Sequence, residues 1–115
     1  MDSHQMKIEH LQELDKQINN NRAVAAAATD LGHLVSSQAF DKVIRKGYFV
    51  NEAVRLTSLL ADPAMQTPEK QAGVIEQLKA ISHFQEYVRI QLRQGDMARK
   101  SIADAQQQIE EVNAE

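Results

Sequence analysis

Apolar and small side chains recur along the first third of the chain at alternating intervals of three and four. Leu11, Leu14, Ile18, Asn21, Ala25, Ala28, Gly32 and Val35 follow this rhythm. It places them on one seam of an α-helix. Asp2 or Ser3 is a candidate cap for its start. Asn19, Asn20 and Asn21 are poor helix formers but not breakers. Two readings therefore stand: one helix of roughly 30 residues, or two helices jointed at the asparagines.

Ser36 and Ser37 follow as a cap or a joint. Gln38–Lys46 then places Phe40, Val43 and Ile44 on one helical face. Lys46-Gly47 reads as a helix end, with cations in the last turn and a glycine free to take the left-handed cap. Tyr48-Phe49-Val50 reads as a short apolar bridge. Asn51 is a cap, with Glu52 in the favourable first turn. The helix that follows carries Ala53, Leu56, Leu59 and Leu60 and stops at Asp62-Pro63, because the residue before a proline disfavours helical backbone. Pro63–Gln66 reads as a loop.

Thr67-Pro68-Glu69 is the clearest local signal. It combines a hydroxyl cap, a proline at the first helical position and an acid that suits the helix dipole. The seam it opens runs Val74, Leu78, Ile81, Phe84, Val88, Gln91, Gly95, Ala98, Ile102, Ala105, Ile109 and Val112. From Ile81 onward threes and fours alternate without a slip. Gly95 costs about 1 kcal/mol inside a helix. Its place on the seam favours one continuous helix over a cap and restart.

The aromatic residues sharpen the division. Phe40, Tyr48, Phe49, Phe84 and Tyr87 all lie between positions 40 and 87. The flanking seams are rich in alanine and glycine. The predicted fold is all-α, a single domain over residues 1–115. Its core feature is a long-helix antiparallel hairpin. Residues 1–36 and 89–115 form a coiled-coil-like stalk, and residues 37–88 a small helical head. The helix-packing interface is expected at Leu11, Leu14, Ile18, Asn21, Ala25, Ala28 and Gly32 on one side. Gly95, Ala98, Ile102, Ala105 and Ile109 answer on the other. In antiparallel pairing Ala25 meets the region of Ala98, Ala28 and Gly32 meet Gly95 and its neighbours, and Leu11 and Leu14 meet Ile109 and Val112. Asn21 and Gln91 are polar seam residues. They read either as register markers or as points where the seam is exposed.

Composition supports the helical reading. Aromatics are 4% of the chain, Gly 4 and Pro 2 leave few turns, and Trp is absent. With Cys 0 there is no disulfide, thiolate metal site or cysteine nucleophile. The net charge of −3 is mild and indicates neither strong nucleic-acid binding nor disorder. No basic region leads into an apolar run at the start, and no stretch approaches the roughly 20 apolar residues of a membrane span. The expectation is a soluble protein of a virion or the host cytoplasm, with no membrane partner.

Candidate chemistry is sparse. His10 with Glu13 and His83 with Glu86 form His-x-x-Glu pairs, whereas carboxylate-bridged metal bundles use the reverse order and further core glutamates. No metal and no cofactor is expected. Lys42, Arg45, Lys46, Arg89 and Arg93 are candidate nucleic-acid or partner contacts. Glu86, Asp96 and the acidic last fifteen residues dilute that patch. The two short central helices around Gly47 invite a helix-turn-helix reading, weakened by the modest basicity. No phosphate-binding loop, paired-carboxylate cleft or G-x-S-x-G is present, and no catalytic residues are assigned.

Residues 39–98 resemble a type of small all-helical protein encoded by tailed bacteriophages. The resemblance rests on Gly47-Tyr48-Phe49 as a turn, Ala53-Val54-Arg55-Leu56 in a helix, the end Leu59-Leu60-Ala61-Asp62-Pro63, and the long helix that follows. It implies a phage context and a non-enzymatic role, with no functional residues to carry over. A two-helix stalk buries so little apolar area, at about 25 cal/mol per Å², that it barely offsets the ordering entropy. The expectation is therefore a homo-oligomer or part of a larger assembly, a virion or morphogenesis component. The alternatives are a small regulatory binder of a host protein or ligand, and a DNA-binding packaging subunit.

Overall fold

The structure, a computed structural model, describes residues 2–115 and is all-α, with no strand among the described residues. Helix α1 spans Ser3–Val35 without a joint. The asparagines do not break it. Asn21 Nδ2 donates to the carbonyl of Gln17, 2.8 Å away, within its own helix. After Ser36 and Ser37 a second helical run begins. Ser37 has extended backbone, and its hydroxyl accepts from the amide of Phe40, as a cap should.

That second run is helical without interruption from residue 38 to residue 59. It comprises α2 (Gln38–Phe40), a π-helical segment (Asp41–Glu52) and α3 (Ala53–Leu59). The expected break at Lys46-Gly47 is absent. Gly47 lies inside the π-helical segment, and among the described residues no glycine has positive φ. Tyr48-Phe49-Val50 is not a bridge, and Asn51 caps nothing. The Gly-Tyr-Phe turn on which the phage resemblance draws is helix.

The reason for the wider helix lies in the spacing of the large side chains. Phe40 and Phe49 are nine residues apart. In an α-helix that is about two and a half turns, which puts them on opposite sides. With i→i+5 bonding, nine residues make about two turns, and the same pair shares a face. The two rings lie 6.3 Å apart, edge to face. Ile44, Tyr48 and Ala53 join that face half-buried, and Leu56 is 1% exposed. Val43, expected to point inward with Phe40 and Ile44, is instead 61% exposed. A short α-helix with a break would have split these residues between two faces.

The run ends in tightened turns. The amides of Leu60, Ala61 and Asp62 bond carbonyls three residues back. Asp62 caps a 3₁₀ turn, Pro63–Met65, its carboxylate accepting from the amide of Ala64. This turn stands where a loop was expected. Carbonyls in this turn and just before it are taken up by side chains. Gln71 Nε2 donates to Met65 and Leu60, and Lys70 Nζ to Ala64. Helix α4 then runs Pro68–Asn113, opened by Thr67, whose hydroxyl accepts from the amide of Lys70. It passes through Gly95 without a break.

The chain forms two compact units. The central unit is Gly32–Ile90. Its core is Leu56, Val74 and Ile81, with Tyr48, Phe49, Leu59, Leu60 and Leu78 packed around it. The terminal unit joins the chain up to Leu31 with Gln91–Glu115. Here α1 and α4 run antiparallel. Leu14 and Ile18 are buried with Ala105, and Ile102 and Ile109 pack against them.

Candidate interaction surface

The seam of the terminal unit is built from small residues at one end and branched ones at the other. At the small end, Gly95 is buried, and a Cβ placed on it would overlap the Ala28 methyl. The backbones approach that closely only because both residues are small. Ala98 is also buried. Leu11, Asn21 and Ala25 are half-buried. Leu11 shares a shallow groove with Ile109 and Asn113. Gly32 behaves differently from Gly95. A Cβ there meets nothing within 4 Å, so Gly32 is not a point of close approach. Asn21 bonds back to its own helix and makes no hydrogen bond across the seam among the described residues.

Arg99 supplies the polar contact across this seam, a role that its place in a run of cations did not suggest. Its guanidinium donates to Thr29 Oγ1 at 2.9 Å and to the carbonyl of Ala25 at 3.5 Å. The other terminal nitrogen donates to Asp96 at 2.9 Å. Thr29 in turn donates to the same Ala25 carbonyl. The route runs beside Gly95, where the missing side chain leaves room: Arg99 Nη1 is 3.6 Å from the Cβ position there. One sequence-level signal was available, since Arg99 follows the seam residue Ala98 and so sits at the edge of the seam.

Three of the five candidate basic contacts are neutralised. Arg45 and Lys46 both reach Asp41, at 2.9 and 3.1 Å. Hydrogen bonds from Arg45 and then Lys46 hold the Asp41 carboxyl below its ordinary range. Arg45 also donates to the carbonyl of Val35 at 3.0 Å and stacks over the Phe40 ring, 5.4 Å from its centroid. Arg89 pairs with Glu86 at 2.6 Å. Lys42 and Arg93 have no ion-pair partner among the described residues. With no turn at Gly47, the helix-turn-helix geometry is gone. Glu52 accepts both Nε bonds of Arg55, at 3.0 and 3.1 Å, which lowers the Glu52 carboxyl and raises Arg55.

His4, His10, His33 and His83 are exposed. Among the described residues no cluster of three or more histidines and carboxylates could hold a metal ion. The surface carries large apolar side chains instead. Val43, Val50 and Val54 on the central run are more than half exposed, as are Leu34 and Tyr87. An open groove beside them is lined by Val43, Ile44, Tyr48 and Leu56.

The fold thus defines an all-α protein with a long-helix antiparallel hairpin. No described helix is long and apolar enough to cross a membrane. No family model, curated protein or solved structure matches the chain.

Proposed function

We propose that this chain is a non-enzymatic structural or assembly protein that works through helix–helix contacts, as a component of a tailed-phage virion or of its morphogenesis. The observation that carries the contact role is the apolar surface of the central unit. Val43, Val50, Val54, Leu34 and Tyr87 remain more than half exposed, and exposed apolar groups in number mark interaction surfaces. Tyr87 adds an aromatic of the kind enriched at contacts between proteins. The neutralised cations weigh against DNA as the partner. The phage context is supported by the sequence resemblance of residues 53–63 and of the long helix after them.

Size-exclusion chromatography with light scattering tests the reading. The expected mass is a multiple of the 12.9 kDa chain, or co-elution with a capsid or tail protein encoded beside it. A dilute monomer, stable and without any such partner, overturns it. Salt-sensitive DNA retardation in a gel shift would replace protein contacts with nucleic acid.

A further inference from the structure

We propose that residues 41–52 are a register switch, π-helical in one state and α-helical in the other. The inference concerns the lone chain and does not rest on the assembly role.

The sequence of this segment carries two apolar stripes. The first is Phe40, Ile44, Phe49 and Ala53, at intervals of four and five, and it leads to Leu56. Those intervals suit i→i+5 bonding. In the structure all five residues are buried or half-buried. The second stripe is Phe40, Val43, Gly47, Val50 and Val54, at intervals of three and four. Those are α-helical heptad intervals. Its three valines are the exposed ones. The two stripes share only Phe40, and one helix of fixed register cannot align both.

The contacts indicate which end would turn. Leu56 is fixed at 1% exposure against Val74 and Ile81. The other end is held by the Phe40–Phe49 edge contact and by the bond from Arg45 to the Val35 carbonyl. Conversion to the α register with Leu56 in place rotates Phe40 and Ile44 out of the core. They then join the valines in one continuous stripe on the face opposite Leu56. In the π form that stripe is divided, with Phe40 and Ile44 facing the core and the three valines facing solvent.

Gly47 is the pivot. A Cβ at this position would stand 3.3 Å from the carbonyl oxygen of Lys42, five residues earlier. That crowding belongs to the π register. In the α register the amide of residue 47 pairs with the carbonyl of Val43 rather than that of Lys42. Gly47→Ala adds a methyl at that contact, so the Lys42 carbonyl must give way by a few tenths of an ångström for the π register to persist.

The chain has no native cysteine, so Ile44→Cys gives a single reporter thiol at a half-buried position. In the full chain, thiol-modification rates are compared with and without Gly47→Ala. Through-hydrogen-bond NMR couplings identify whether the amide of residue 47 pairs with carbonyl 42 or 43. The expected result is a several-fold faster modification in the Gly47→Ala chain, transfer of the coupling to carbonyl 43, and loss of the ring contacts between Phe40 and Phe49. Unchanged reactivity with the carbonyl 42 coupling retained overturns the proposal. If Gly47→Ala does not fold, Phe40→Ala removes the ring that only the π form buries, and the same coupling is read. Retention of the carbonyl 42 pairing there, or loss of helicity in both variants, overturns it equally, because the α register must keep the segment helical.

Discussion

The methyl group of Ala28 occupies the space in which a side chain at Gly95 would begin. Helices α1 and α4 meet there with no room for one more carbon. The obstacle is a methyl carried directly on the opposing backbone, so it cannot swing aside. Only separation of the helices would make space.

Gly95→Ala is therefore expected to destabilise the protein, although alanine is the better helix former. The propensity gain is about 1 kcal/mol, against about 1–3 kcal/mol for overpacking a tight contact. A lower urea midpoint at unchanged slope is the expected outcome. Ala28→Leu, which crowds the same point from the other helix, should shift the midpoint in the same direction. A rise in either variant would mean that the helices do not meet here.

Gly32→Ala and Gly73→Ala should do the opposite. Both positions are helical, without positive φ, and a Cβ at either meets nothing within 4 Å. Removing the glycine's unfolded-state freedom is worth about 0.4–1 kcal/mol per site. Thermal unfolding should move upward for each. The contrast with Gly95→Ala separates a contact glycine from a merely tolerated one.

Leu56→Ala should cost about 2–5 kcal/mol, the range for a buried leucine whose cavity cannot fully collapse. Leu56 is 1% exposed, in contact with Val74 and Ile81. Val54→Ala, two residues away and 61% exposed, should remain within about 0.5 kcal/mol of the parent. Equal losses for the two variants in chemical denaturation would place the core of this unit elsewhere.

Acid should weaken the central run through Asp41 and Glu52. Both carboxyls are held below their ordinary values of 3.8 and 4.5 by bonds from Arg45 and Lys46, and from Arg55. A depressed folded-state pKa contributes stability that is fully present above the unfolded value. It is lost as pH falls through that value towards the folded one. The loss is therefore confined to the acid side of 3.8 and 4.5. Both pairs are solvent-exposed, so the effect is modest and screened by salt. Urea midpoints for the parent, Asp41→Asn and Glu52→Gln, taken above and below that window, should converge at the acid end.

Much of the terminal unit was legible because its pattern is long and regular. The three-and-four spacing carried the long helix through Gly95. The hydroxyl of Thr67 and the ring of Pro68 marked where that helix begins. The phase of the two seams put Ala28 opposite Gly95. Gly32 was misread because it lies on the same seam as Ala28, and a place on the seam does not say how near the opposing backbone comes. The role of Arg99 was hidden, since only the pairing of the helices brings Thr29 and the Ala25 carbonyl within its reach.

The central run divides along a similar line. Local chemistry determined its beginning at Ser37, the stop at Asp62-Pro63 and the predominance of helix, because caps, prolines and propensities act over a few residues. The break expected at Gly47 failed. A glycine after cations resembles a helix end, yet Phe40, Ile44, Phe49 and Leu56 gain more by sharing one core than the chain gains by ending a turn. The sequence alone decided that these residues would be helical and that they carried apolar side chains for burial. The tertiary structure decided the pitch of the helix, since only packing against Val74, Ile81 and Phe84 selects which of two stripes faces inward.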